Sequence, residues 1–160
     1  MDHAITPTGQ HDHAHCVSSA LAAAEARCAG TAKLTQSRRR VLEIVWESHR
    51  PVGAYDILDR MAKDGNPAKP PTVYRALNFL LEQGLVHRLE SMNAFIGCGS
   101  TSVDGHAAQF LICRDCNMAL ELDDPTLRKA LDQAARNSGF KVDRRVVELS
   151  GVCADCQKAA

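Results

Sequence analysis

The sequence has no apolar run approaching the roughly 18 residues that a membrane span requires, and its N-terminus is polar and His-rich, unlike a secretory leader. It also lacks a Gly-rich phosphate loop and a nucleophile elbow, two common sequence signs of catalysis. Net charge is +0, from 19 Lys and Arg against 19 Asp and Glu. What is present is an ordinary globular composition: 45% hydrophobic and 24% charged over 160 residues, enough for one domain or two small ones. A cytoplasmic protein with no membrane association is expected, and its seven cysteines should then be reduced thiols. Their odd number argues against a complete disulfide framework and directs attention to metal.

The zero net charge hides an asymmetry. Residues 33–98 carry ten Lys and Arg against seven Asp and Glu, whereas residues 99–160 carry eight against nine and residues 1–32 one against three. The middle third is the basic part, which suits either a nucleic-acid surface or simply a solvated face.

Residues 1–16 lack periodicity and read as a mobile His-rich tail. The Ala-rich segment 17–29 predicts a helix ended by Gly30. A second helix starts near Thr35, with Val41, Ile44 and Val45 in one apolar stripe, and ends before Arg50-Pro51. A third runs from about Ala54 to Lys63, and Asp64-Gly65-Asn66-Pro67 is a turn. In PPTVYRALNFLLEQG, proline suits the first helical turn, and Val73, Leu77, Leu80 and Leu81 fall on one side. Thr72, Arg75 and Glu82 face the other way, flanked by Asn78 and Phe79. Gly84 closes this helix. LVHRLES and AFIGC then read as a hairpin turning at Met92-Asn93. Helices followed by a β-hairpin make a winged helix-turn-helix, in which the helix before the wing enters the DNA major groove.

GSTSVDG (99–105) is a linker, and the hinge is expected to span 99–108. Beyond it QFLIC, MALEL and FKVDRRVVELSG read as strands and 125–138 as an amphipathic helix. The fold class is therefore α+β: a winged-helix domain over 17–98 and a C-terminal α/β dimerisation domain over 109–160. The long final strand would present an open edge, which favours pairing with a second copy.

Cys113-Arg-Asp-Cys116 and Cys153-Ala-Asp-Cys156 are two CxxC pairs separated by 36 intervening residues. Each pair can turn two thiolates toward one corner of a tetrahedron, so together they predict a closed structural zinc site. In a small domain with little core, its binding energy is folding energy.

A second set of ligand types remains: His87, Cys98, His106 and Glu121. A two-residue turn at Met92-Asn93 would put His87 and Cys98 directly opposite each other, about 5 Å apart at Cβ. One metal on all four would bridge the two domains and bias their arrangement. A thiolate in the set moves the preference toward zinc, where two imidazoles and a carboxylate alone would accept iron or manganese. Spacing alone also fits a wing histidine, a core thiol and a solvated carboxylate.

YDIL (55–58), KPPTVYRALNFLLEQGLVH (69–87), FLICRDC (110–116) and GVCADC (151–156) together resemble the ferric uptake regulator superfamily, and within it the zinc uptake regulator branch. The resemblance covers roughly residues 33–157. It implies a homodimer that binds palindromic double-stranded operators when the sensed metal is present and represses metal-uptake genes. It also implies two zinc ions per chain: a structural one on Cys113, Cys116, Cys153 and Cys156, and a regulatory one on His87, Cys98, His106 and Glu121. The family's DNA-contacting tyrosine and arginine match Tyr55 and Arg75. Thr72 and Lys69, at the start of the same helix, suit phosphate contacts. Tyr55 could alternatively be a half-buried core aromatic.

The iron branch usually carries a His-rich run before QFLIC, but here only Asp104 and His106 stand there. An iron- or manganese-responsive regulator is accordingly the alternative. An enzyme is not expected, because a catalytic zinc needs an open position that four protein ligands would fill. His11, His13, His15 and Cys16 have no counterpart in the resemblance; they read as a disordered tail or a weak extra ligand set.

Overall fold

The computed structural model describes residues 13–29, 33–47, 50–65, 67–99, 108–143 and 145–159. The chain divides into two compact units, Met1–Gly99 and Ser100–Ala160. No helix among the described residues is long and apolar enough to cross a membrane.

The first unit contains helices α1 (His13–Cys28), α2 (Gln36–Trp46), α3 (Ala54–Lys63) and α4 (Pro70–Glu82), with strands β1 (Val52–Gly53), β2 (Val86–Leu89) and β3 (Ala94–Gly97). Helix α1 begins inside the stretch read as a mobile tail. An Ala-rich helix extends N-terminally at little cost once nucleated, and the Ser18 hydroxyl donates to the His15 carbonyl at 2.9 Å. Helix α2 is opened by Thr35, whose hydroxyl accepts the Arg38 N–H. It buries Val41, Leu42, Ile44 and Val45 against Ile57 and Met61 of α3 and Val73, Leu77 and Leu80 of α4 in one core.

Helix α4 ends in a Schellman motif: Leu85 N–H reaches the Leu80 carbonyl at 2.9 Å and Gly84 N–H the Leu81 carbonyl at 3.0 Å. Gly84 has φ +64°, a conformation that glycine alone adopts without a Cβ penalty. Phe79, expected beside the polar face, is instead buried, because the Arg38 guanidinium lies 3.6 Å from its ring centroid and covers it.

The wing sheet has strand order β1-β3-β2, one strand more than the expected hairpin. The two-residue strand β1 follows Pro51 directly and pairs Val52 with Phe95. The β2–β3 register also departs from expectation: His87 stands opposite Ile96, not Cys98. Strand β2 stops at Leu89 and β3 starts at Ala94, so the turn takes four residues instead of two. It closes on Asn93 at φ +47°, with Asn93 N–H on the Glu90 carbonyl at 3.3 Å; Asn tolerates this left-handed conformation.

The second unit has strands β4 (Ala108–Cys113), β5 (Ala119–Leu122) and β6 (Val146–Gly151), and helices α5 (Pro125–Asn137) and α6 (Ala154–Lys158). The sheet order is β5-β4-β6, with β5 antiparallel and β6 parallel to β4. A parallel pair needs a crossover, and α5 supplies it. The last strand is half the expected length. Phe140, its expected start, belongs to the α5 terminus, donating its N–H to the Ala135 carbonyl at 2.9 Å. Strand β6 lies at a sheet edge with Leu149 exposed.

Candidate metal centres and nucleic-acid interface

The two CxxC pairs converge in the second unit. Strand β4 ends at Cys113, and the chain turns back through Asn117 at φ +57°, with Asn117 N–H on the Cys113 carbonyl at 2.9 Å. The parallel register sets Cys113 beside Gly151, which delivers Cys153 and the α6 thiol Cys156 to the same place. One ligand atom from each of Cys113, Cys116, Cys153 and Cys156 lies within 4.8 Å of the others. Cys116 Sγ and Cys153 Sγ are 3.8 Å apart. That is far beyond a disulfide bond of about 2.05 Å and close to the ~3.8 Å edge of a tetrahedron with ~2.3 Å zinc–sulfur bonds. Among the described residues no cysteine is in a disulfide.

The electrostatics agree with a cation site. The Cys113 thiol is lowered to about 6, chiefly by the Cys153 amide N–H, at 3.3 Å, and then by the amides of Cys116 and Asp115, against burial. Cys156 is pushed up strongly, by Cys153 and Cys116 first and then by burial. Cys116 also rises: the Met118 amide favours its thiolate, but Cys113, burial and Cys153 outweigh it. One thiolate is ready-made and its neighbours resist a second negative charge. A divalent cation among them would remove that resistance, so the donor set fits zinc.

The first unit holds the other thiol candidate. Cys98 follows β3 and is buried, its N–H bonded to the Leu85 carbonyl at 3.0 Å. His87 is half-buried on β2. The register differs from expectation by two residues, and because side chains alternate with period two, an even slip keeps both on one face as diagonal neighbours. The imidazole and thiol ligand atoms lie within 4.8 Å of each other. Gly97, between Ile96 and Cys98, lies against the indole of Trp46; a Cβ there would come within 2.4 Å of the ring. Helix α2 thereby fixes the backbone next to Cys98. Glu121 is half-buried on β5, opposite Phe110, and His106 lies outside the described residues.

The tail ligands do not form a described cluster. His11 is outside the described residues, His13 opens α1, His15 is exposed and Cys16 half-buried.

For nucleic acid, the exposed face of α4 carries Thr72, Arg75, Asn78 and Glu82, as the periodicity requires, with Lys69 exposed at the N-cap. Tyr55, in the first turn of α3, is 72% exposed, which excludes the core-aromatic alternative in this chain. Sequence reasoning missed Tyr74, 43% exposed beside Arg75. Its angular position, between the buried stripe and Arg75, was the available signal. Arg40 is committed elsewhere. Its guanidinium bonds Asp64, Glu43 and Glu47, and although burial opposes its charge, these partners hold its pKa above the ordinary value.

Comparison with known proteins adds to this geometry. A model of the ferric uptake regulator family matches residues 29–150. The zinc uptake regulation protein of Escherichia coli (strain K12) is 38% identical over 137 residues, covering 85% of this chain and 80% of the relative. A solved zinc uptake regulator complexed with zinc and DNA is similar at TM-score 0.84 and 36% identity, over 89% of this chain and 96% of that one. The crystal structure of holo XcZur is similar at TM-score 0.80 and 39% identity, over 90% and 99%.

Proposed function

Because the chain belongs to the ferric uptake regulator family, we propose that it is a zinc-responsive transcriptional repressor that binds palindromic operators of zinc-uptake genes as a cytoplasmic homodimer. It is a DNA-binding regulator and not an enzyme. The observation that carries the zinc reading is the His87–Cys98 pair. A buried thiol beside an imidazole, on the hairpin that follows α4, is a soft ligand set placed next to the DNA-reading helix. That thiol also favours zinc over iron or manganese.

In this reading Cys113, Cys116, Cys153 and Cys156 hold a structural zinc, and His87, Cys98, His106 and Glu121 hold the sensed one, two per chain. Bound zinc supplies a positive charge that these thiolates, imidazoles and the carboxylate share. The residues do the rest. Cys98 is held by the Leu85 carbonyl and by the Trp46–Gly97 contact, so closing the ligand set bears directly on the end of α4. The hinge, expected over 99–108, ends where β4 begins at Ala108, and the residues from there on form the dimerisation domain, with the β6 edge and its exposed Leu149 as the pairing surface. Arg75 suits guanine O6 and N7, Tyr55 a phosphate or thymine methyl, and Thr72 and Lys69 phosphates. A mostly open population becomes mostly closed when zinc prefers the closed form by about 10⁴, roughly 5.5 kcal/mol.

The test is zinc per chain before and after mild chelation, with binding followed on a duplex selected from random sequence. Two zincs falling to one, with DNA binding lost and the dimer intact, is expected. Cys98→Ser should keep one zinc and the dimer but gain no DNA affinity from added zinc. Full zinc-dependent binding by that variant removes the sensing assignment.

A further inference from the structure

Helix α1 precedes the residues that match the family, yet it is packed onto the DNA-binding unit. Leu21, Ala24 and Cys28 form a stripe at helical spacing, and Ala24 is 0% exposed. Two charged side chains tie the helix to its neighbours. Glu25 accepts from Arg39 of α2. Arg27 Nη1 donates to the Gly84 carbonyl at 2.8 Å and the Gln83 carbonyl at 3.3 Å.

Those two carbonyls belong to the C-terminal end of α4. The Schellman turn there uses the N–H groups of Gly84 and Leu85 but not the carbonyls of Gln83 and Gly84. A guanidinium at this position both bonds them and complements the negative end of the helix dipole. The next carbonyl along, that of Leu85, accepts the Cys98 N–H. Arg27 therefore grips the joint at which the helix bearing Arg75 becomes the hairpin bearing His87.

We propose that Arg27 is a positioning residue for DNA reading: held on α1, it fixes the pitch of α4 and with it the reach of Arg75. The proposal rests on α4 being the helix that reads DNA. A residue serving fold stability alone would lower the folded fraction without changing what the folded protein prefers to bind.

The experiment uses the zinc-loaded full chain and two duplexes, one selected from random sequence and one scrambled. Arg27→Met keeps the aliphatic stem and removes both hydrogen bonds; Arg27→Lys keeps the charge and one donor direction. At a temperature where circular dichroism shows both variants folded, Arg27→Met should bind the selected duplex roughly tenfold more weakly, the scale of one misplaced base contact. Its affinity for the scrambled duplex and its salt dependence should be unchanged, because Arg27 neutralises no phosphate. Arg27→Lys should fall between the two.

Unchanged preference in Arg27→Met overturns the proposal. So does an equal loss on both duplexes with a shallower salt dependence, which would make Arg27 a direct phosphate contact, and so does a loss that matches the unfolded fraction. Should Arg27→Met not fold, Arg27→Lys decides alone: a reduced preference in the folded variant supports the proposal, and none overturns it. Arg75→Ala on the same duplexes tests the premise separately. If it leaves the preference intact, α4 is not the reading helix and the proposal falls with that premise.

Discussion

The two units reach stability by different physical routes. In the first, all four helices and the wing feed one hydrocarbon core, from Ala24 on α1 through Val41, Ile57 and Leu77 to Phe95 on β3. In the second, the buried apolar residues among those described are Phe110, Ile112, Cys113 and Ala119, and neither α5 nor β6 buries a described residue fully in the single chain. A sheet with so little core cannot offset the entropy of ordering some fifty residues through hydrophobic burial alone. In the proposed reading, a zinc on its four convergent thiols and pairing of the β6 edge with a second copy would supply what the core does not. If the thiols hold the structural zinc proposed above, the first unit should keep its shape whatever the metal supply, while the second should depend on it.

The strongest way to break that contrast is Cys113→Ser. Structural zinc in small domains is worth on the order of 10–16 kcal/mol, and Cys113 is also the thiol that backbone amides already favour as thiolate. In hydrogen exchange on the full chain, amides of β4, β5 and β6 should lose protection while those of α2 and α4 keep theirs. Retained protection in β4 would mean that the second unit has another source of cohesion. Lost protection in α2 would mean that the first unit is not self-sufficient.

A smaller effect, confined to the first unit, is expected from Gly97→Ala. The new Cβ would lie within 2.4 Å of the Trp46 indole, so the ring or the strand must move, at a cost of about 1–3 kcal/mol for overpacking. Trp46 is the sole tryptophan, so its fluorescence follows unfolding of this unit directly. The denaturation midpoint should fall, and the zinc dependence of DNA binding should weaken because Cys98 is the next residue. An unchanged midpoint would show the contact to be slack.

How much of this was legible in the sequence varies with how local the deciding interactions are. Helix α3, expected from about Ala54 to Lys63, has those bounds, since the turn that ends it at Asp64-Gly65 is a local signal. The four-cysteine cluster was legible because CxxC spacing is itself the chemistry. The His87–Cys98 pair was found with the wrong register, and the right face survived because the error was even. Phe79 and β1 were not legible: what buries the one is Arg38, some forty residues away, and what makes the other a strand is pairing with Phe95. The C-terminal strand was overread because β-branched residues after Phe140 suggest a strand, whereas Gly139 and Phe140 serve to end α5.

The smallest predicted effect probes whether the first unit has a hidden polar staple of its own. Arg40 bonds Asp64 at 2.8 Å, Glu47 at 2.9 Å and Glu43 at 3.0 Å, and Glu47 in turn pairs with Arg60, so one side chain ties α2 to the end of α3. The Arg40 side chain is 26% exposed, so the network is screened less than a surface pair but is not desolvated enough to be worth its gas-phase strength. Arg40→Met keeps much of the volume and should cost about 1–2 kcal/mol in denaturation followed by Trp46, with the difference from the parent shrinking at high salt. A cost above about 3 kcal/mol, the range of a broken buried charge network, would mean that the first unit also hangs on a single polar hub. The two units would then differ in the chemistry of their staples rather than in whether they need one.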